Sequence, residues 1–316
     1  MKASSEFVIG IDLGGTNIKG ALLDFKGKVV EKYEIATLAN GGPEVVAGRI
    51  VQLAEILMKD YKGKIAGMGI GVPGQPDLSN GTVVFAPNLR WRNVPLIPML
   101  KPSLAFPMFL ENDANAAALG EKWCGVGREA VNMVAITIGT GIGGGIIIDG
   151  RLYRGSNGGA GEIGHTVVKP DGPLCNCGKQ GCLETLTAAP ALVRQAREAI
   201  DRGRSTSLTA VENLAARDIF EAAGRGDELA GEIVGEMVYY LGLGIGNLLN
   251  IFNPDLVAVG GGVSKAGEVL FKPLRETALK VALEASRAVN IVPAELGNDA
   301  GSIGAGAVVL QELNLL

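Results

Sequence analysis

An internal repeat constrains the fold of this 316-residue chain more than any other feature. The segment VIGIDLGGTNIKGALLD (8–24) aligns with MVAITIGTGIGGGIIID (133–149), which begins 125 positions later. Each segment contains an apolar run, a turn rich in glycine and threonine, a second apolar run and a closing aspartate. Apolar, β-branched runs on either side of a glycine turn predict a β-hairpin. The repeat therefore predicts two similar halves, each opening with a hairpin whose turn contacts a shared ligand.

Chain length, composition and charge define the broad class. At 316 residues the chain exceeds the usual size of a single core, so two domains or one large α/β unit are expected. Its 47 glycines are about twice the usual share of roughly 7%, which indicates many places where the backbone turns tightly or approaches a ligand. A net charge of −4 without a basic run argues against binding to nucleic acid or to an anionic membrane.

Two uncharged stretches, 130–148 and 237–254, are long enough to be tested as membrane spans. The first contains five glycines between positions 139 and 145, which favours two strands around a turn. The second contains Gly242, Gly244 and Gly246, which favours a buried core helix with one small face. Asp12 interrupts the apolar N-terminal run before it reaches the length of a secretory signal. We therefore expect a soluble, cytoplasmic protein, in which clustered cysteines hold a metal rather than form disulfides.

Hydrophobic periodicity predicts an alternation of strands and helices. Strands are predicted at 7–12, 18–24, 28–36, 65–71, 106–112, 133–139, 143–149 and 255–262. Helices are predicted at 43–60 and 113–123, through most of 186–250, and at 301–313.

Three glycine turns are candidate phosphate-binding loops. In DLGGTN (12–17), consecutive glycines allow backbone N–H groups to approach a phosphate, Thr16 adds a hydroxyl donor, and Asp12 is placed to hold Mg²⁺ directly or through water. The turns GTGIGGG (139–145) and GGG (260–262) offer similar donors. Alone, any one of them is better explained as a tight structural turn. Three turns from two halves favour a nucleotide bound between them.

A cysteine and histidine cluster indicates a metal site. His165, Cys175, Cys177 and Cys182 follow the spacing H-x9-C-x-C-x4-C, and four N/S ligands complete a closed, structural zinc site. The alternative is a buried neutral histidine beside inert thiols. The isolated Cys124 is expected to be a small core residue of this inert kind. A zinc site would also fix the nearby Glu162 and Glu184, whose carboxylates are suited to sugar hydroxyls; without it they would be solvated surface charges.

The segment FLENDANAAALGE places Asn112 and Asp113 where a strand becomes a helix. An N-cap is the commonest use of an aspartate at such a position. A carboxylate at a strand end can also orient a hydroxyl and accept its proton during phosphoryl transfer. Asn112 beside it could bind a second hydroxyl of the same substrate.

Taken together, these motifs resemble those of the ROK sugar kinases, especially their glucokinases. The chain contains, in the family's order, DLGGTN, GVPG, PNLRW, LENDANAAALGE, TIGTGIGGGII, GGAGEIGH, CNCGKQGCLE and GGGV. The resemblance implies an α/β protein with the actin-like ATPase fold, in which two ribonuclease-H-like domains surround a central cleft. The implied domains are residues 1–114 and a larger 115–300 that carries the zinc loop, and the last helix, about 301–316, could return to the first domain.

The resemblance also implies a role for each candidate residue. Asp113 is expected to be the general base on the sugar 6-hydroxyl. The expected sugar contacts are Asn88, Asn112, Asp113, Glu162, His165 and Glu184. The expected contacts to ATP and Mg²⁺ are Asp12, Gly14, Gly15, Thr16, Asn17, Lys19, Thr140, Gly141, Gly261 and Gly262. His165, Cys175, Cys177 and Cys182 are expected to hold structural Zn²⁺.

The implied activity is ATP-dependent phosphorylation of glucose, by a protein that forms dimers or tetramers. Another hexose, such as N-acetylmannosamine, fructose or mannose, is an alternative substrate, and polyphosphate is an alternative donor. A sugar-sensing repressor of the same family is not expected, because such proteins carry an N-terminal helix-turn-helix and only eleven residues precede Asp12 here. A chaperone-like ATPase that responds to protein partners is a further alternative, and the compact polar cluster at 112–113 and 162–165 favours a small polyol instead.

Overall fold

The computed structural model describes residues 6–316 and separates into two compact units. The first unit contains the chain up to Glu129 together with Gly145–Ala160 and Leu296–Leu316. The second unit contains Ala130–Gly144 and Gly161–Glu295. Residues 115–129 thus belong to the first unit, whereas the resemblance implies a second domain that begins at residue 115. The predicted domain limits, 1–114 and 115–300, divide the chain into continuous segments, whereas each compact unit combines separate segments. These limits stay a prediction.

Strands and helices follow closely the alternation expected from the sequence. Within the described residues the strands are β1 (Phe7–Leu13), β2 (Asn17–Asp24), β3 (Val29–Ala36), β4 (Ile65–Val72), β5 (Gln75–Asp77), β6 (Thr82–Ala86), β7 (Trp91–Val94), β8 (Met108–Asn112), β9 (Met133–Ile138), β10 (Ile142–Ile148), β11 (Arg151–Leu152), β12 (Leu256–Gly260) and β13 (Asn290–Pro293). The α-helices are α1 (Pro43–Leu57), α2 (Leu96–Leu100), α3 (Asp113–Trp123), α4 (Leu183–Thr187), α5 (Ala189–Asp201), α6 (Ala216–Gly224), α7 (Glu228–Phe252), α8 (Glu268–Val281) and α9 (Ala300–Glu312).

A five-stranded sheet in the order β3-β2-β1-β4-β8 forms the centre of the first unit. Strand β1 pairs antiparallel with β2 and parallel with β4, which in turn pairs parallel with β8. Alternate residues of a strand face opposite sides of a sheet. Ile9 and Ile11 accordingly pack into the core that includes α1, whereas Val8 packs with apolar residues of α9. Burial on both faces explains why β1 is a nearly continuous apolar run.

The second five-stranded sheet has the order β11-β10-β9-β12-β13. In it β9 takes the place of β1, β10 that of β2, and β12 that of β4. Strand β12 pairs parallel with both β9 and β13, as β4 does with β1 and β8. The sequence repeat of 8–24 and 133–149 therefore corresponds to a repeated sheet topology.

Small residues allow α3 and α9 to pack at close range in the first unit. A Cβ atom on Gly304 would lie 1.6 Å from the carbonyl oxygen of Ala116, and one on Gly120 would lie 2.6 Å from that of Ala300. Both helices are rich in alanine and glycine at this contact, so their backbones almost touch. This packing fixes α3, whose first turn carries the candidate catalytic residues.

The two uncharged stretches fold as expected. Residues 133–138 and 142–148 form β9 and β10, and the second stretch lies in α7. A Cβ atom on Gly242 would lie 2.6 Å from Thr277 of α8, and one on Gly246 would lie 2.5 Å from Val281, so the small face of α7 packs on α8. Among the helices of residues 6–316, none has the length and apolarity needed to cross a membrane.

Candidate active site and metal centre

The carboxyl ends of three parallel strands bring two candidate carboxylates to one edge of the first sheet. In the register of β1, β4 and β8, Asp12 pairs with Gly71, which pairs with Glu111. Asp113 follows two residues after Glu111, at the start of α3. Two strand spacings separate β1 from β8, a distance of about 10 Å. This edge of a parallel sheet is where α/β proteins commonly bind ligands.

The structure assigns the cap of α3 to Asn112 instead of Asp113. The Asn112 side-chain oxygen accepts hydrogen bonds from the backbone N–H groups of Ala114 (2.9 Å) and Asn115 (3.1 Å), and its Nδ2 donates to the carbonyl of Gly74 (3.0 Å). The interpretation of Asp113 as the cap is therefore wrong, because the extended conformation of the cap position falls one residue earlier. Asp113 is the first helical residue, half-buried, and its Oδ1 accepts from Ala114 N–H at 2.9 Å.

Asp12 lies in a partly desolvated position against the first turn of α9. A Cβ atom on Gly301 would lie 2.7 Å from the carboxyl carbon of Asp12, so any larger residue there would displace this carboxylate. Burial raises the pKa of Asp12, and the positive charge of its cross-strand neighbour Lys19 opposes that rise only in part. Lys19 Nζ also donates to the backbone oxygen of Asn298 at 3.5 Å. A cation bound at Asp12 would stabilise the ionised carboxylate, which suits the predicted Mg²⁺ contact.

The first glycine turn, residues 14–17, is held closed by hydrogen bonds. Gly14 N–H donates to Asn17 O at 3.0 Å. The buried Thr37 holds the turn from below: its hydroxyl donates to Gly14 O (2.7 Å) and its N–H donates to Thr16 O (2.8 Å). Thr37 belongs to no recognisable motif, so no sequence pattern indicated this role.

The structure brings Asn88 next to this turn. Asn88 lies in a 3₁₀ turn (Pro87–Leu89) between β6 and β7, and a Cβ atom on Gly15 would lie 3.2 Å from its carbonyl oxygen. Thr16 and Asn17 are exposed at the tip, where Asn17 donates to Glu34 at 2.6 Å. Two separate predictions, a phosphate turn and a sugar contact, thus concern neighbouring residues.

The second and third glycine turns lie at the carboxyl ends of adjacent parallel strands in the second unit. Residues 139–141 connect β9 to β10, and Gly139 N–H donates to Gly141 O at 2.9 Å. Because Gly260, the last residue of β12, pairs with Thr137 of β9, the residues that follow β12 lie beside the end of β9. Gly261 has φ +87° and would place a Cβ atom 2.3 Å from Ile138 O, so this turn requires glycine.

A cavity of about 570 Å³ adjoins the second turn. Thr140 lines it together with the charged residues of α5, which are Arg194, Arg197, Glu198 and Asp201. The N–H of Ala189 at the start of α5 donates to Gly139 O at 3.0 Å, which fixes this helix beside the turn. The cavity therefore presents a hydroxyl group, two guanidinium groups and two carboxylates, and Arg194 pairs with Glu198 at 3.6 Å.

The four predicted metal ligands converge in the second unit. Cys175 Sγ lies 3.6 Å from His165 Nδ1, and Cys177 Sγ lies 3.6 Å from Cys182 Sγ. All four ligand atoms lie within 4.8 Å of one another. In a tetrahedral site with Zn–S bonds of about 2.3 Å, neighbouring sulfurs are about 3.8 Å apart. The donor set and its spacing therefore fit Zn²⁺.

The chemistry of the thiols agrees with a metal at this position. Burial raises the pKa of Cys182 to about 12 and also raises that of Cys175, whereas the backbone N–H of Lys179 lowers that of the exposed Cys177. A metal ion supplies the positive charge that buried thiolates need, and its binding displaces their protons. His165 Nδ1 faces the thiols, which leaves Nε2 as the ring nitrogen available to a substrate.

Glu162, His165 and Glu184 lie in the two segments that carry the first and last of the predicted metal ligands. His165 ends a 3₁₀ turn (Ile163–His165) that Glu162 precedes, and Glu162 is exposed. Glu184 lies in the first turn of α4, and its Oε2 accepts a hydrogen bond from Ile142 N–H at 2.8 Å. Glu184 therefore joins the metal loop to the second glycine turn, a contact that the sequence did not predict.

The candidate residues form two sets, each within one compact unit. The first unit contains Asp12, Gly14, Gly15, Thr16, Asn17, Lys19, Asn88, Asn112 and Asp113. The second contains Thr140, Gly141, Glu162, His165, Cys175, Cys177, Cys182, Glu184, Gly261 and Gly262. Their individual roles toward sugar, nucleotide and metal remain predictions.

The repeated sheet, with a glycine turn leading out of the first strand of each copy, defines the class of actin-like ATPases. The predicted α/β fold of this class is confirmed. Comparisons with known proteins then give the family.

The sequence matches the ROK family over residues 8–312. It is 41% identical over 320 residues to a glucokinase of Halalkalibacterium halodurans, covering 98% of this chain and 97% of the relative. It is 37% identical to a xylose repressor of Caldicellulosiruptor bescii, covering 85% of this chain and 69% of the repressor. The crystal structure of a ROK family glucokinase from Streptomyces griseus, in complex with glucose and AMPPNP, superposes with a TM-score of 0.80 at 36% identity and covers 96% of this chain and 99% of that one. The chain belongs to the ROK family, as its motifs indicated.

Proposed function

We propose that this protein is a glucokinase, an ATP:D-glucose 6-phosphotransferase. The observation that carries the proposal is the placement of Asp113 at the same sheet edge as Asp12 and its glycine turn, in a chain 41% identical to a glucokinase along nearly its full length. A carboxylate and a phosphate turn at one edge are the two elements that phosphoryl transfer to a hydroxyl requires.

In the proposed reaction, Asp113 accepts the proton of the glucose 6-hydroxyl while that oxygen attacks the γ-phosphorus of ATP. The bond from phosphorus to the β–γ bridging oxygen breaks, and ADP leaves with the electron pair. The N–H groups of the glycine turns and the hydroxyls of Thr16 and Thr140 stabilise the charge on the transferred group. Asn112 keeps Asp113 in place by capping α3, and its side chain retains hydrogen-bonding capacity for the sugar.

Two metals belong to the proposal. Asp12 would hold Mg²⁺, directly or through water, and the ion would neutralise phosphate charge. His165 and the three cysteines of the cluster would hold Zn²⁺, whose role is structural because the site has no open position. Zinc would fix Glu162, His165 and Glu184 as the sugar-reading surface.

The location and assembly of the enzyme are also part of the proposal. We propose a cytoplasmic enzyme, since zinc-bound cysteines are typical of reducing compartments. A dimer or tetramer is proposed from the family resemblance alone. Sedimentation velocity of the purified protein measures the assembly directly.

The test of function is a coupled assay of ADP release with MgATP and a panel of hexoses. We expect turnover with glucose to exceed that with mannose, fructose and N-acetylmannosamine, and polyphosphate to replace ATP poorly. Asp113→Asn should lower kcat by about 10²- to 10⁴-fold while glucose binding, measured by calorimetry, is retained. Asp60→Asn, an exposed carboxylate after α1, is the matched control and should leave kcat unchanged.

The outcomes separate the alternatives. Preference for another hexose keeps the mechanism and changes the substrate. Near-normal turnover in Asp113→Asn removes this residue from the mechanism. Sugar binding without turnover for any hexose would refute the kinase proposal and favour a sugar-sensing protein, since a xylose repressor is among the relatives.

A further inference from the structure

A buried ion pair lies beside the start of α3, which carries the proposed catalytic residue Asp113. The proposed reaction does not use this ion pair. The side chain of Glu111, the last residue but one of β8, is only 2% exposed. Its Oε2 accepts a hydrogen bond from Arg154 Nε at 2.6 Å, and Arg154 Nη2 also donates to Glu312 at 2.9 Å. Arg154 lies 43 positions after Glu111 in the sequence, in the segment that follows β11.

The second carboxylate oxygen of Glu111 accepts hydrogen bonds from residues that precede and follow Asp113 in the chain. Glu111 Oε1 accepts from the backbone N–H of Asn112 at 3.0 Å and from Asn115 Nδ2 at 3.0 Å. Asn112 precedes Asp113 and Asn115 follows it by two residues. Glu111 therefore ties the cap residue and the first turn of α3 to Arg154.

Arg154 compensates the charge of this carboxylate and holds it in one orientation. Removing a carboxylate from water is costly unless a partner compensates the charge in good geometry. Burial alone would lower the pKa of Arg154, but the charges of Glu111 and Glu312 outweigh that effect and raise it. The guanidinium is a planar donor and holds both carboxylates at once, which an ammonium group does less well.

A cavity of about 430 Å³ gives access to this arginine. Arg154 and Glu312 line it together with Lys101 and the apolar residues of β8. A small guanidinium compound can therefore reach the position that the Arg154 side chain occupies.

We propose that Arg154 is a positioning residue for phosphoryl transfer, which fixes the carboxylate of Asp113 by holding Glu111 against the start of α3. This inference rests on the proposed function, since it gives Arg154 a task only if Asp113 is the base. It assigns Arg154 no contact with sugar or nucleotide.

The test measures kcat, the KM and calorimetric Kd for glucose, and the melting temperature of each variant. Arg154→Met should lower kcat by about 10- to 100-fold, the range found when a group that orients a metal ligand is removed. Glucose Kd should change by less than about threefold, because the loss is confined to the chemical step. Glu312→Gln removes only the outer, more exposed partner and should leave kcat within about twofold.

A double-mutant cycle separates positioning from a general loss of structure. If Arg154 acts through Asp113, adding Arg154→Met to Asp113→Asn should lower the residual kcat by less than about twofold, because the shared effect is already lost. Two independent effects would multiply. Methylguanidinium added to Arg154→Met should restore part of kcat and should have no effect on Asp113→Asn.

The inference is overturned if folded Arg154→Met keeps kcat within about twofold of the parent, or if its effect multiplies fully with that of Asp113→Asn. Should Arg154→Met not fold, Arg154→Lys decides: a loss of about three- to tenfold in kcat supports positioning, and an unchanged kcat overturns it. If the parent protein turns over no sugar, or Asp113→Asn keeps normal turnover, the proposed function fails instead.

Discussion

Cys177 is the exposed member of the cysteine and histidine cluster. A substitution at this position therefore removes a metal ligand without removing a side chain from the core. Cys177→Ala should therefore report on the metal alone. We expect the purified parent protein to contain one zinc per chain and the variant to contain much less. Cys124→Ala, which truncates a cysteine outside the cluster, is the matched control and should keep its zinc.

The expected loss of stability follows from the length of the loop that the metal closes. His165 and Cys182 are 17 positions apart, and a cross-link over such a loop stabilises a protein by about 3 kcal/mol in the chain-entropy model. For a unit of this size each kcal/mol corresponds to about 2–4 °C, so Cys177→Ala should melt about 6–12 °C lower. The parent protein treated with a strong chelator should shift by a similar amount.

Sugar kinetics should follow the same pattern. Zinc loss frees the segments that carry Glu162, His165 and Glu184, so the KM for glucose should rise by about tenfold or more, as when groups that orient a metal site are removed. Differential scanning fluorimetry, metal analysis and the ADP-release assay on the same samples measure all three effects. A zinc-free variant with unchanged melting temperature and unchanged KM would refute the structural role assigned to the metal.

Three further predictions concern single residues. Asp12→Asn should raise the melting temperature of the nucleotide-free protein, because burial already disfavours the charged carboxylate, yet lower kcat by about 100-fold or more in the assay. Gly304→Ala should destabilise by about 1–3 kcal/mol in urea titrations, since its Cβ would meet Ala116 O, whereas Gly231→Ala, whose Cβ meets no atom within 4 Å, should not destabilise. Asp227→Ala should lower the free energy of unfolding by about 1 kcal/mol at pH 7, because it removes the N-cap of α7. The backbone N–H of Ala230 and further donors hold the pKa of Asp227 below 3.8, so the ionised cap is present at neutral pH. The stability difference between parent and variant should shrink only as the pH falls below 3.8.

Local patterns predicted the elements that local chemistry determines. Helix α3 has the predicted bounds, 113–123, because polar capping residues end an apolar strand and small residues favour close packing after it. The metal cluster was predictable because ligand type and spacing are both encoded within eighteen consecutive residues. The cap of α3 was assigned one residue too late, since asparagine and aspartate are equally good caps and only the backbone conformation decides between them.

Contacts between distant segments could not be predicted in this way. The pairing of Glu111 with Arg154 joins residues 43 positions apart, and neither residue has a local pattern that indicates the other. Thr37 supports the first glycine turn through its buried hydroxyl and its backbone N–H, and nothing in the sequence distinguishes it from other threonines. The short sheet of β5, β6 and β7, which carries Asn88, consists of strands of three to five residues, too short to show a clear alternation.

The metal centre and the second glycine turn are mechanically connected through one residue, Ile142. Its N–H donates to Glu184, which follows the ligand Cys182 by two positions. Its carbonyl oxygen lies against Gly164, where a Cβ atom would approach to 2.4 Å, and Gly164 directly precedes the ligand His165. Zinc bound to the cluster, as proposed, would fix the two segments that hold the start of β10 from both sides. If residues 139–142 bind phosphate as proposed, zinc and MgATP should each increase the affinity for the other by the same factor, because coupling between two binding sites is reciprocal. A chelator should then remove zinc more slowly and less completely from the nucleotide-bound enzyme, and equal zinc affinity with and without MgATP would show that the contact at Ile142 transmits nothing.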